Sequence, residues 1–319
     1  MKLVLALVAV AALAIASLFI GISDVSLASL FAADNDGRSL QILLASRIPR
    51  TAALILAGTA TAVAGLVMQM LTRNRFVEPT TAGTVEAATL GILAVMLLYP
   101  GAPVIVRMLI AAGFGLGGTM VFLAILRRLP PHAPLLVPLV GILLGGVLGA
   151  VAVFFAYQNN LLQSLAAWTN GDFSAVLRGR YELLWITAAL TIVAYLAADR
   201  FTVAGLGSDL TTSLGLNYRR VLSLGLVIVS LVTASVVVTV GIIPFLGLVV
   251  PNVVSILLGD NVRRSLPFVA LFGAGFVLAC DIAGRLVRYP YEIPIGTVVG
   301  VVGSALFLWL LLRRRAALG

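Results

Sequence analysis

Hydrolysis or group transfer needs nucleophiles, bases or metal ligands at close spacing, and this chain is poor in all of them. Its one cysteine, Cys280, lies in an apolar stretch, and its one histidine, His132, sits among Pro130, Pro131 and Pro134. Neither a disulfide framework nor a thiolate metal site can be assembled from these, and His132 reads as a loop residue. The groups with chemical potential are ionic. Glu86 and Asp281 fall at membrane depth by sequence, each at the border of an apolar window, where an ionisable side chain is a functional candidate by default. Arg285 follows Asp281 by four residues, on the same helical face, so pairing within the helix accounts for that acid. Glu86 has no such neighbour; it either lines a polar cavity or pairs with an arginine from another helix. Arg47-Ile48-Pro49-Arg50 precedes one apolar window, and Arg285 and Arg288 close another.

The elements that must hold these groups follow from the charge pattern. Of 21 basic residues all but Lys2 are arginine, and nearly all lie in short gaps. An arginine at the centre of a spanning helix costs roughly 2.5 to 3.5 kcal/mol, so the charge-free windows are the spans. They run 3–23, 51–72, 87–106, 108–126, 133–171, 183–198, 221–259, 265–280 and 293–312, most near the ~20 residues that cross a bilayer. Gly241, Pro244, Gly247 and Pro251 should split the window 221–259 into two spans. The window 133–171 breaks at Tyr157-Gln158-Asn159-Asn160, leaving one span and a short interfacial helix, 161–168, with Trp168 as its anchor. With 61% hydrophobic and 10% charged residues there is no material for a soluble domain. The expected fold is all-α and polytopic, one transmembrane domain over 1–319 with ten transmembrane helices. The apolar run at the start exceeds a signal-peptide core and reads as the first span.

Placing the N-terminus inside puts thirteen Lys and Arg against four acids on one side, a balance of +9, and eight against six on the other, +2. The first side is cytoplasmic by the positive-inside bias, which puts both termini inside. Arg47, Arg50, Arg285 and Arg288 then lie outside, where positive charge is disfavoured. Snorkelling among headgroups is one reading; a negatively charged partner is the other. Inside, the segment 199–220 is the most soluble-looking piece. Ser208 or Asp209 can cap a short helix, Leu210 and Leu214 share a face, and Gly215 can end it. Such a helix suits a groove on a cytosolic protein or rests at the interface. Gly141, Gly145, Gly146 and Gly149 form a small-residue face, either for helix packing or for a pathway.

The ordered segments RIPRTAALILAG, MQMLTRNRFVEPTTAGT, GLGSDLTTSLGL, VGIIPFLGLVVPN, LPFVALFGAGFVLACDIAGR and YEIPIGTVVGVVGSALFLWLLLRRR resemble the permease subunits of iron-siderophore and cobalamin ABC importers (FecCD-type). The resemblance runs from about Arg47 to the C-terminus. It implies a type II importer permease in the bacterial inner membrane, without enzymatic activity or a bound cofactor. Two permease subunits, a heterodimer in preference to a homodimer, would work with a cytosolic ABC ATPase dimer that binds ATP and with a substrate-binding protein. No nucleic-acid partner is implied. By that resemblance Arg47, Arg50, Arg285 and Arg288 receive acidic side chains of the binding protein. Leu206, Asp209, Leu210, Leu214 and Gly215, in the loop 205–220, couple to the ATPase. Asn74, Arg75, Phe76, Glu78 and Pro79 form a cytoplasmic gate, and Glu86, Gly141 and Gly145 border the pathway.

This chain departs from the family in three places. It has Asn74-Arg75-Phe76-Val77 for Asn-Pro-Leu-Ala, Glu86 for Gly, and Pro251-Asn252 for Pro-His. Thr80-Thr81-Ala82-Gly83-Thr84 and Pro251-Asn252 resemble a subgroup that imports catecholate-type siderophores with a two-permease heterodimer. The rival reading is an ion-coupled secondary transporter that titrates Glu86 and Asp281; it leaves the inner loop and the outer arginines without a role.

Overall fold

In the computed structural model, residues 1–21, 38–126, 128, 136–259 and 261–316 are described; His132 lies outside them. Among the described residues the chain is helical throughout. The helices are α1 (Lys2–Phe19), α2 (Ile48–Thr72), α3 (Thr84–Leu98), α4 (Val104–Leu126), α5 (Leu136–Gln158), α6 (Leu162–Thr169), α7 (Leu184–Leu196), α8 (Ala198–Ala204), α9 (Ser208–Ser213), α10 (Tyr218–Val240), α11 (Leu246–Leu258), α12 (Val262–Val287) and α13 (Ile295–Ala316). Seven are long and apolar enough to span, α7 and α8 make an eighth candidate broken by a bend of 63°, and α3 and α11 are shorter apolar helices. Seven or eight candidate spans among the described residues thus stand against the ten expected, with the two shorter helices beside them.

The boundaries show the local physics. A π-helical turn, Leu43–Arg47, leads without a break into α2, and the Ala45 carbonyl that Pro49 leaves without its helical donor accepts from Arg178 N–H at 3.0 Å. Arg73 ends α2 in the left-handed region (φ 51°). Tyr99 to Pro103 separates α3 from α4, so Arg107 lies inside α4 rather than in a gap, and it donates back to the Ala102 and Pro100 carbonyls at 3.0 Å each. The breaker cluster splits its window as expected, between Val240 and Leu246, but Gly247 and Pro251 lie within α11. Proline there leaves the carbonyl four residues back without its helical donor. That carbonyl, on Gly247, accepts from Gln69 Nε2 at 3.3 Å.

Helix α2 is the axis of the bundle. It packs against α12, α11, α10 and α7, and α2 and α10 are each 72% buried over their spanning windows, against 6% for α1. Small residues permit this. A Cβ on Gly58 would stand 2.7 Å from the Gly273 carbonyl of α12, and one on Gly65 2.1 Å from the Gly247 carbonyl of α11. Backbones that approach so closely gain dispersion contacts, the main source of helix association in lipid. Trp168, half-buried, packs against two of the hydrophobic clusters, and the loop after it is tied down by Asp172 N–H to Val240 O and Gly296 N–H to Gly171 O, both 2.8 Å.

Candidate functional site

The 25 residues of α2 rise about 37 Å, and each expected site belongs to one level of that axis. At its start stands an ionic cluster. Arg50 donates to Asp281 Oδ1 at 2.8 Å and to Glu292 Oε2 at 2.7 Å. Arg285 pairs with Asp281 within α12, as the spacing predicts, and also donates to Ser17 O (3.0 Å), Ser17 Oγ (2.9 Å) and Ile20 O (2.7 Å) at the end of α1. Arg47 donates to Ile20 O. The side chains of Asp281 and Arg285 are only 2% and 3% exposed. Arg47, Arg50 and Arg285 thus answer to internal partners in this chain, against the expectation that all four outer arginines face an acidic protein. Arg288 is exposed, 5.9 Å from the Tyr291 ring. Two carboxylates, Asp281 and Glu292, hold Arg50 and Arg285 in this cluster. Asp281, clamped between two guanidiniums, is not placed to exchange protons with a pathway, which removes half of the ion-coupled reading.

Beside the middle of α2 two helix breaks meet. The segment after Arg73 climbs back along α2 until Glu78, Pro79 and Thr80 face Thr61 and Ala64, next to Gly241, Ile242 and Ile243 of the α10–α11 break. Irregular backbone at this depth is tolerated only when protein satisfies it, and here it does. Asn74 Oδ1 accepts from Phe76 N–H at 2.8 Å, Thr81 Oγ1 from Glu78 N–H at 3.0 Å, and Glu78 Oε1 from Phe245 N–H at 3.0 Å. The buried Glu78 carboxylate therefore stands at the start of α11, where the helix dipole favours negative charge. Lower down, Asn252 Nδ2 donates to Arg75 O at 2.8 Å, Arg75 Nη1 to Ser255 Oγ at 3.2 Å, and Phe76 meets Phe307 edge-on. Two of the chain's departures from the family pattern, Arg75 and Asn252, are thus in contact.

Small residues shape the neighbouring α5. A Cβ on Gly141 would meet Thr81 O at 1.8 Å, and one on Gly145 would meet the Glu86 carboxyl carbon at 3.2 Å, whereas Gly146 and Gly149 face open space. The four glycines therefore divide: two permit close packing and two do not serve it. Glu86 lines a cavity, though one whose walls are mainly apolar and not the polar cavity that the sequence offered as an alternative.

At the far end of α2 lies the elbow of α8 and α9. A Cβ on Gly207 would stand 3.0 Å from Arg73 Nη1, and Thr211 Oγ1 donates to Val203 O at 3.1 Å and to Gly207 O at 2.6 Å, fastening α9 to α8. Neither Ser208 nor Asp209 caps the backbone; Gly207 occupies the N-cap, and Ser208 Oγ donates to Asp209 Oδ1. The C-terminus follows expectation. Gly215 (φ 79°) stands at C′, with Gly215 N–H to Thr212 O at 2.9 Å and Leu216 N–H to Thr211 O at 3.0 Å, a Schellman termination. Leu206, Leu210 and Leu214 are 57%, 53% and 63% exposed on an element too short to cross anything, and Asp209 is exposed beside them.

Glu292, Ser17, Gln69 and Asn252 were missed as site residues by the sequence reading. The available signal was the presence of a polar side chain within, or just at the border of, an apolar window.

The sequence matches the FecCD transport family over residues 6–313. The petrobactin import system permease protein YclN of Bacillus subtilis is 49% identical over 255 residues, covering 80% of this chain and 81% of that protein. The ferric-anguibactin transport system permease protein FatD of Vibrio anguillarum is 42% identical over 252 residues, 79% of this chain and 80% of that one. A solved structure described as an inward-facing conformation of a metal-chelate type ABC transporter superposes with a TM-score of 0.81 at 24% identity, covering 98% of this chain and 99% of that chain; it bears on the fold alone. A family match over nearly the whole length, on a bundle of this architecture, places the chain in the FecCD transport family.

Proposed function

We propose that this chain is a permease half of an ATP-driven importer, moving an iron–siderophore complex across the bacterial inner membrane without catalysing a reaction itself. The observation that carries the reading is the family match with its two similar siderophore permeases. The elbow supports it physically: three exposed leucines, Leu210 on α9 and Leu206 and Leu214 flanking it, on a segment fastened to α8 and next to Arg73 at the end of the central α2. A cytosolic ATPase dimer that closes on ATP would grip that apolar face. Because α2 packs by backbone contact at Gly58 and Gly65, movement at the elbow is transmitted along it as a switch between discrete packings and not as bending.

The arginine-rich end is the cytoplasmic one in this reading, so the opposite rim, where Arg288 is exposed, receives the acidic surface of a binding protein. The segment Asn74 to Pro79, pinned between α2 and α11, is the gate. A second permease subunit, in a heterodimer, completes the pathway, and catecholate chelates are the finer substrate class. The alternative of ion coupling has no observation in its favour beyond Glu86. Uptake of radiolabelled ferric siderophore by cells carrying the chain with its ATPase tests the assignment. Uptake that stops when the ATPase is inactivated supports it, and uptake that persists on an ion gradient alone overturns it.

A further inference from the structure

The Glu86 cavity has features that helix packing does not explain. It occupies about 390 Å³ between α3, α5, α6 and the α10–α11 break. Two side chains on α3, Glu86 and Thr89, reach it one turn apart, and Gly149 of α5, whose missing side chain leaves open space, keeps it wide. Thr89 is 4% exposed, and both its hydroxyl oxygen and Glu86 Oε2 are shielded from solvent without a hydrogen-bond partner among the described residues. An unmade bond at such a site costs roughly 1 to 3 kcal/mol, more for a charged group. Glu86 lies in the first turn of α3, where the dipole favours a negative charge. The walls, including Ala152, Leu162 and Leu165, are apolar.

We propose that this cavity binds an organic ammonium group, with the Glu86 carboxylate as its counter-ion, the Thr89 hydroxyl as a second acceptor and the apolar walls around its carbon body. The donor set argues for an organic cation over a metal ion. One carboxylate and one hydroxyl are too few to replace a metal's hydration shell, and no cluster of three or more His, Cys, Asp or Glu is present among the described residues. The volume falls in the range of small-molecule sites, about 300 to 1,000 Å³. The inference rests on the transport reading for its role, since it gives the cargo a chemical feature: a chelate with an amine-bearing arm.

Binding is tested on the full chain in nanodiscs of zwitterionic lipid, with phenethylammonium and its neutral counterpart 2-phenylethanol as probes and empty nanodiscs as reference. Calorimetry should show the ammonium bound at least ten-fold more tightly than the alcohol. Glu86→Gln should abolish that preference, and Gly149→Leu, which fills the cavity and leaves the carboxylate in place, should weaken the binding of both probes at least ten-fold. Equal binding of the two probes, an unchanged preference in Glu86→Gln, or unaltered ammonium binding in Gly149→Leu each overturns the proposal. The readout needs no transport, so a negative result leaves the permease assignment standing, whereas failure of that assignment would show in uptake by the wild-type importer.

Discussion

Replacing Asp281 with asparagine removes the one carboxylate shared by Arg50 and Arg285 and changes little else in shape. In the wild type its two oxygens are divided between the two guanidiniums. After substitution Glu292 is the carboxylate left to Arg50 among the described residues, and the Arg285 guanidinium, 3% exposed, keeps the neutral acceptors on Ser17 and Ile20. Breaking a buried pair from one side typically costs 3 to 5 kcal/mol, and for a chain of this size roughly 2 °C accompanies each kcal/mol, so the unfolding midpoint should fall by about 6 to 10 °C. Cys280 supplies the assay. It is the single cysteine, buried next to the mutated position, so a thiol-reactive dye reports the opening of α12 directly in detergent or nanodiscs. The double variant Asp281→Asn/Arg285→Met, which also removes the stranded cation, should recover part of the loss. A single variant within 2 °C of wild type, or a double variant with no recovery, would refute the claim that this network is internal and closed.

Gly65→Val should prevent correct packing of α2 on α11, because its first carbon would stand 2.1 Å from the Gly247 carbonyl, while Gly146→Ala, facing open space, should be neutral or stabilise by up to about 1 kcal/mol; size-exclusion profiles and dye-reported midpoints separate the two. Gly215→Val forces a β-branched residue to φ 79°, a strain of about 1 to 2 kcal/mol or more. It should uncouple ATP hydrolysis from uptake, and normal transport in reconstituted vesicles would remove the elbow assignment. Leu210→Asp with Leu214→Asp replaces two exposed apolar side chains, so the chain should keep its midpoint yet lose copurification of the ATPase at least ten-fold; retained copurification argues against α9 as the contact.

Much of the site was legible because particular residues carry local signals. The i, i+4 spacing of Asp281 and Arg285 foretold their ion pair, Gly215 foretold the end of α9, and the Gly241 to Pro244 cluster foretold the α10–α11 break. The failures also have local causes. Ser208 and Asp209 look like caps, but the turn at Gly207, with φ 114°, starts the helix one residue earlier and leaves them inside it. Pro251 reads as a breaker, yet a side-chain amide from α2 is at hand for the carbonyl that proline leaves unpaired.

Hydrocarbon offers no partner to a backbone polar group or a charge, so a spanning stretch must satisfy itself within a window of about 20 residues; for that reason the sequence alone determined the all-helical, multi-span character of the chain. The folded chain decided what the arginines at the rim do. Arg50 finds its carboxylates 231 and 242 residues away, and Arg285 finds carbonyls on α1 more than 260 residues back. Charge balance on one side of a membrane is additive along a chain, but pairing is geometric. Only the packing of α1, α2 and α12 turned an apparent docking patch into a closed ionic cluster with Arg288 at its exposed edge, and only the meeting of α3, α5 and α6 left Glu86 with a cavity in place of a partner.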